Sequence, residues 1–431
     1  MMHFYSTNNK SLKTNLKDAV LHSLAPDNGL YMPEVISRLD GDFIANIEQY
    51  TFQEIAFEVS KNLIGNAIPD QDLKAIIESA LFFPAPVVML DDHLAALELW
   101  HGPSQAFKDF GAGFMAALIS YFIKNEDKKY TILVATSGDT GGAVAAGFYK
   151  KLGIEVVILY PSGKVSDLQE KQLTTLGENI TALEIDGSFD DCQALVKRAF
   201  LDIDLNKKLN LSSANSINIA RLIPQSFYYF EAYKQVKHLN KEVVISVPSG
   251  NFGNITAGIM AKKMGLPIVK FIAATNANHI VPDYIANGTF TPKASIPTIS
   301  NAMDVGNPSN FVRLSKIFDH DVDVFRENIS GYWLNDDDTR VAMKHAFDKY
   351  GYICDPHGAI AYSALLDLDQ HQLGIFLETA HPAKFLETVE ETIGQAVSLP
   401  AGLESLQDKI KVATKMNVSF EDFKSYLFSR G

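Results

Sequence analysis

The stretch Tyr130–Tyr160, YTILVATSGDTGGAVAAGFYKKLGIEVVILY, decides how the chain is to be read. YTILVA is a short β-rich run, GGAVAAGFYKKLG reads as a helix ending on a glycine, and IEVVILY is a second apolar strand. Strand, helix and strand in that order make a βαβ unit, whose two strands lie parallel. The further apolar runs ITALEID, KEVVISV, IVKFIAAT and QLGIFLE are separated by helical segments such as IARLIPQSFYYFEAYKQVK. Strands apolar along their whole length belong to sheets covered on both faces. The expected class is therefore α/β with a mainly parallel sheet, or two such sheets. Before Asp92 the pattern differs: YTFQEIAFEVSKNLIG and QDLKAIIESALFF have apolar residues at three- and four-residue spacing, which predicts a largely helical segment packed on the rest.

The 431 residues, 47% of them hydrophobic, suffice for two domains with sizeable cores. Acidic residues outnumber basic ones, 51 to 38, for a formal charge of -13, which disfavours nonspecific binding to nucleic acid or to an anionic membrane. Any anionic ligand must be held locally. Two cysteines, Cys192 and Cys354, read as small buried residues, and the scattered histidines show no metal-site spacing, so no metal is expected. The sequence contains neither a signal-peptide core at its start nor a run of apolar residues able to span a bilayer, and a cytoplasmic protein is expected.

Two glycine-rich loops follow predicted strands, ATSGDTGGA after YTILV and VPSGNFGNITAG after KEVVIS. Each places backbone N–H groups ahead of a helix, where an anion can bind, although either could be a plain tight turn. Neither has the spacing of a dinucleotide fingerprint, and YPSGKVS has Val165 where a P-loop needs Ser or Thr. In HGPSQAFKDFGAG, Lys108 lies between Phe107 and Phe110 with Gly111 and Gly113 close behind. By itself it could be a snorkelling surface lysine. A reactive amine together with two anion loops meets the needs of pyridoxal phosphate, which requires an imine-forming amine, a phosphate cradle and a partner for its ring nitrogen.

With those residues in place, the chain resembles the threonine synthases, a family of fold type II pyridoxal-phosphate enzymes, over nearly its whole length. LAPDNGLYMP, GPSQAFKDFGAGFMA, ATSGDTGGAVAAGF, NSINIARLIPQ, VPSGNFGNITAGIMAKKMGLP, SNAMDVGNPSNF and ETAHPAKF carry the resemblance. It implies a tryptophan synthase β-like fold of two α/β domains: residues 1–92 as the helical segment, 93–236 as a small domain with Lys108 at its edge, and 237–431 as a large domain. It also implies conversion of O-phospho-L-homoserine and water into L-threonine and phosphate. Lys108 would hold the cofactor as a Schiff base and act as general base, Gly250, Asn251, Phe252, Gly253 and Asn254 would surround its phosphate, and Thr379 would face the ring nitrogen. Ser137 and Thr140 would receive the substrate carboxylate. Asp139 stands where many fold type II enzymes carry Asn near the phenolic oxygen, and an acid there must be protonated or donate nothing. The family's frequent STRG near the start reads Ser6-Thr7-Asn8-Asn9-Lys10 here, so that arginine's role is vacant.

In SSANSINIARL, Asn218 and Arg221 stand near one turn apart at the start of a helix, where dipole and guanidinium both favour an anion. With Ser216 they are the expected substrate-phosphate contacts, and Ser104 and Asp109 are further candidates. Lys384 in HPAKF is the rival amine and reads as structural. His101 and His279 are watched for their neighbours, Asp336–Asp338 read as a helix start, and Phe227–Phe230 read as core. Competing functions are a phospho-lyase that stops at phosphate elimination, a serine or threonine dehydratase type of enzyme, and a degenerate binding protein. The expected partner is a small molecule, and the expected state a monomer or homodimer.

Overall fold

The computed structural model describes residues 2–430. Its strands are, in chain order, β1 (Phe4–Ser6), β2 (Lys13–Thr14), β3 (Tyr31–Pro33), β4 (Val87–Met89), β5 (Leu94–Glu98), β6 (Tyr130–Ala135), β7 (Ile154–Pro161), β8 (Ile180–Asp186), β9 (Asn210–Ser213), β10 (Glu242–Pro248), β11 (Ile268–Thr275), β12 (Ile329–Trp333), β13 (Gln372–Glu378) and β14 (Thr414–Asn417). They form two main sheets and one small one. The larger has six strands in the order β12-β11-β10-β13-β5-β4, parallel except for β4. The five-stranded sheet runs β14-β8-β7-β6-β9 and is parallel throughout. The βαβ unit at Tyr130–Tyr160 lies within it as β6, the helix Asp139–Phe148 and β7.

Sheet membership does not follow the expected division at residues 93 and 237. β5 pairs with β13 in the larger sheet, and β14 returns from beyond that sheet to pair with β8. Pairing partners of short strands are set by distant contacts that a local pattern does not carry. The segment before Asp92 holds the expected helices but also the antiparallel sheet β2-β1-β3. Strands of two or three residues are too short to show alternation.

The helix Phe52–Ile64 shows the local logic of this segment. Thr51 and Glu54 close a capping box at its start, and Phe52, Ile55, Ala56, Val59 and Leu63 form its buried stripe. That stripe packs against the helix Phe227–Val236. Phe227, Tyr228, Tyr229 and Phe230 are fully buried in the main core, as expected of four consecutive aromatics inside a helix. Pro224 lies in a tight 3-10 turn that separates this helix from the short one at Ile219–Leu222. Cys192 and Cys354 are buried and unpaired, and Asp336–Asp338 open the helix Asp336–Tyr350 behind the cap Asn335. Among the described residues no helix is long and apolar enough to cross a membrane.

Candidate active site

Three strand ends converge on one cavity. β6 opens into Thr136–Thr140, β10 into Ser249–Asn254, and β13 is followed by Thr379; residues of all three line the cavity together with Phe107, Lys108, Ser216 and Arg221. This is the region beyond the carboxyl ends of parallel strands where ligands of α/β sheets bind.

Lys108 is the first residue of the helix Lys108–Ile123, and the larger sheet fixes its position. Ala106 bridges Ala380, and the Phe107 N–H donates to the Thr379 carbonyl at 2.8 Å, so Lys108 enters the cavity beside Thr379. Its Nζ lies 4.8 Å from the centre of the Phe107 ring and 3.5 Å from Asp139 Oδ2. Burial lowers the basicity of this amine, the Asp139 charge opposes that, and the charges of Lys384 and Arg221 add to the lowering.

Asp139 is the anionic centre of the site. Its Oδ1 lies 2.7 Å from Lys384 Nζ and accepts from Gln169 Nε2 at 2.8 Å. Burial alone would push this carboxyl up, but the charges of Lys384 and Lys108 and the hydrogen bonds from Lys384 and Gln169 outweigh it and hold the group well below the usual carboxylate range. Of the two expected states these contacts favour the ionised one, in which Asp139 accepts and donates nothing. The loop ahead of it is curled by Thr136 Oγ1, which accepts from the N–H groups of Gly138 and Gly141 at 3.0 and 2.8 Å. Gly138 has a φ of 142°, and a Cβ there would stand 2.7 Å from the Gln169 amide, so the closeness of Gln169 to Asp139 requires the glycine. Ser137 and Thr140 line the cavity and are partly exposed.

On the opposite wall the loop after β10 has the features of a phosphate cradle. Phe252 adopts a left-handed φ of 60°, and Gly253 begins the helix Gly253–Lys263, whose first N–H groups have no intrahelical acceptors. A Cβ on Gly250 would fall 2.8 Å from the Ala302 carbonyl oxygen, so the backbone itself must form this wall. Asn254 Oδ1 accepts from both Tyr228 and Tyr229 hydroxyls at 2.6 Å, and its buried Nδ2 has no partner among the described residues. Thr379 is buried at the far side. An amine, an anion cradle at a helix start and a hydroxyl around one cavity fit pyridoxal phosphate in donor chemistry.

Arg221 is buried, and among the described residues only its Nη1 finds an acceptor, the Ala214 carbonyl. Burial pulls its pKa down to about 10 against the opposing charge of Asp109. A Cβ on Gly111 would lie 2.7 Å from Arg221 Nε and 3.1 Å from its carbonyl oxygen, which explains one glycine of the KDFGAG motif. Ser216 lines the same wall and its hydroxyl accepts from Asn310 Nδ2.

Two expected contacts lie elsewhere. Asn218 is fully buried behind the wall: its Oδ1 caps the Ala220 N–H, and its Nδ2 donates to the Val20 and Ser213 carbonyls and to the Ser23 hydroxyl. The cap engages its acceptor, and the N-terminal segment with Ser213 takes its donors, so it is a structural residue. Ser104 does not line the cavity either; its N–H donates to Asp109 Oδ2, and its carbonyl accepts from Gln172 and Lys384. Asp109 is itself buried beneath, its pKa pushed up to about 6 by burial against hydrogen bonds from Ser104. His101 stacks on Trp100 and His279 on Trp333, both away from the cavity. The residues missed from sequence are Gln169 and His357. His357 lines the cavity, bonds Asp355 through Nδ1 and accepts the Ala302 N–H at Nε2, which makes it the Nδ1–H tautomer. Its only signal was DPHG, an Asp cap followed by proline at a helix start.

Known proteins resemble this chain along its whole length. Residues 3–81 match the family model described as threonine synthase N terminus, 89–374 that of pyridoxal-phosphate dependent enzyme, and 358–427 that of threonine synthase, C-terminal. The threonine synthase of Haemophilus influenzae is 45% identical over 428 residues, 99% of each chain, and that of Escherichia coli 44% identical over 409 residues, 94% of this chain and 95% of its own. The crystal structure of the Escherichia coli threonine synthase superimposes with a TM-score of 0.95 over 100% of both chains, at 41% identity. A threonine synthase from Brucella melitensis solved with bound PLP gives 0.93 over 99% of both, at 33% identity. With three family models tiling it and relatives aligned along its full length, the chain belongs to the threonine synthase family of pyridoxal-phosphate-dependent enzymes.

Proposed function

We propose that the cavity around Lys108 is where the chain converts O-phospho-L-homoserine and water into L-threonine and phosphate, with Lys108 as the catalytic residue. The observation that carries the reading is the meeting of an amine of lowered basicity, a helix-start anion cradle and a buried arginine in one cavity. Lys108 would hold pyridoxal phosphate, Gly250–Asn254 would cradle its phosphate, Thr379 would face its ring nitrogen, and Asp139 would be the counter-anion beside them. When bound, the cofactor supplies an electron sink for negative charge beside the substrate amine.

Ser137, Thr140 and the N–H groups starting the helix Asp139–Phe148 receive the substrate carboxylate. Arg221 and Ser216 take the γ-phosphate. Lys108 Nζ, released by the substrate amine and neutral, would take the Cα proton, give it up into the electron sink that the bound cofactor supplies and, neutral again, take a Cβ proton, while Arg221 stabilises the phosphate leaving Cγ. The ammonium hands the Cβ proton to Cγ, water adds at Cβ, and Lys108 finally restores a proton to Cα. Arg221 keeps the departed phosphate close, where a phosphate oxygen accepts the proton of that water. The acidic composition speaks against nucleic acid as a partner, and the two unpaired buried cysteines support a cytoplasmic location.

Purified protein is expected to absorb in the visible as a bound pyridoxal cofactor does, and phosphohomoserine to yield phosphate and threonine in equal amounts. Lys108→Ala is expected to lose that band and to slow phosphate release by about a thousandfold or more. Full turnover by the variant would remove Lys108 from this role. Phosphate accompanied by an oxo acid and ammonia would make the chain a phospho-lyase.

A further inference from the structure

Lys384 lies in the 3-10 turn Pro382–Phe385 that follows β13, with its side chain fully buried. Its Nζ is 2.7 Å from Asp139 Oδ1 and donates to the Ser104 carbonyl at 2.9 Å, whereas Lys108 reaches the other oxygen of Asp139 only at 3.5 Å. Two amines therefore share one buried carboxylate, Lys384 from the closed side and Lys108 from the cavity. We propose that Lys384 is a positioning residue of the active site, holding Asp139 as a fixed ion pair so that Lys108 faces a carboxylate already engaged. The inference rests on the reading of Lys108 as the reactive amine.

The charges around Lys108 make the division of labour between the two lysines unequal. Asp139 faces it from the helix Asp139–Phe148, Lys384 from the turn after β13, Arg221 from the helix Ile219–Leu222 and Asp109 from its own helix, with Asp304 and His357 on the cavity wall. Asp109 is directed to the Ser104 N–H and toward Arg221, and Asp304 is engaged by Thr298, Asn276 and Asn278, so Asp139 is the only carboxylate in ion-pair reach of Lys108 among the described residues. One carboxylate cannot neutralise two cationic partners at once. The lysine with the shorter contact and the second acceptor is the one that engages Asp139, which leaves Lys108 the weaker ionic partner and favours its neutral amine. The lowered basicity of Lys108, to which Lys384 contributes, agrees with this. Without Lys384, Asp139 would bind Lys108 alone and favour its ammonium; without Asp139, Lys108 would lose its proton still more readily.

Uptake of pyridoxal phosphate by the apoprotein tests this without reference to turnover. Neutral Nζ condenses with the cofactor aldehyde, forming a C–N bond and releasing the aldehyde oxygen as water, so the rate of appearance of the visible band against pH reports the proton on Lys108. In Lys384→Met the profile is expected to move about one unit to higher pH, making uptake at neutral pH about tenfold slower. Lys384→Arg should stay close to the parent, and Asp139→Asn should move the profile in the opposite direction. A lysine that only supported the fold would lower the melting temperature and leave the profile in place. Lys384→Met that melts normally with an unmoved profile would overturn the proposal; if that variant does not fold, an Asp139→Asn profile that is unmoved or displaced to higher pH would do so. Equal uptake by parent and Lys108→Ala would instead overturn the parent reading of Lys108, and this proposal with it.

Discussion

His381 precedes the turn that carries Lys384, and its Nδ1 accepts the Ala383 N–H at 3.1 Å, so the turn is capped only by the neutral imidazole. Burial lowers its pKa to about 4, opposed by Glu98 and assisted by His101. Unfolded, the same side chain titrates near 6.5. Between those values the unfolded chain binds a proton that the folded chain does not, so stability is full above the upper value and falls as the pH drops through the window. Denaturant melts between pH 7 and 4.5 should therefore show a steeper acid loss for the parent than for His381→Asn, whose amide oxygen can cap without titrating; parallel losses would assign the acid sensitivity to other groups. Of the residues around this turn, sequence reading placed Lys108 because its aromatic and glycine brackets stand together with two anion loops and the family resemblance, whereas alone it would pass for a snorkelling surface lysine. It did not place Lys384 as part of the site, because HPAKF contains nothing local that announces a buried charge. Asn218 was misplaced for a related reason: an asparagine before a helix suits an anion and a cap equally, and Val20 and Ser23, which decide for the cap, are far away in sequence.

The helix Lys108–Ile123 supports the site through what it lacks. Alanine is a better helix former than glycine by about 1 kcal/mol, so Gly111→Ala should favour this helix taken alone. Its Cβ would nevertheless fall against Arg221 Nε and the Arg221 backbone. The expected outcome is a rise of about tenfold in KM for phosphohomoserine, equivalent to about 1.4 kcal/mol, with the visible cofactor band retained. Steady-state kinetics with a spectrum of the same preparation check it, and an unchanged KM would show that Arg221 has room to move. Strands in βαβ order were legible because each is apolar throughout and bounded by turn residues. β14, TKMN, is mostly polar and exposed, and β1 to β3 are very short, so no periodicity marks them. The side of the molecule to which β5 belongs could not be read, because its residues suit either sheet.

Arg313 joins parts of the molecule that are remote in sequence. Fully buried, it donates to the carbonyls of Tyr31, Ser216 and Ile217 and to Asn310 Oδ1, tying the N-terminal segment to the cavity wall and to the helix Phe311–Ile317. Burial pulls its pKa down to about 9. Arg313→Met would leave three backbone carbonyls without this donor, and the expected cost is about 3–5 kcal/mol, seen as a lower calorimetric melting temperature. A melt unchanged within about 0.5 kcal/mol would mean that water replaces the guanidinium. The strand β14 has a consequence of another kind. It covers the outer edge of β8, and Phe420, Phe423 and Leu427 just beyond it close the apolar cluster around Leu195. A ribosome releases β8 long before it makes either. During synthesis the five-stranded sheet therefore waits with one ladder of N–H and C=O groups open and an apolar face uncovered, an interval in which strand pairing with another nascent chain competes with completion of the fold.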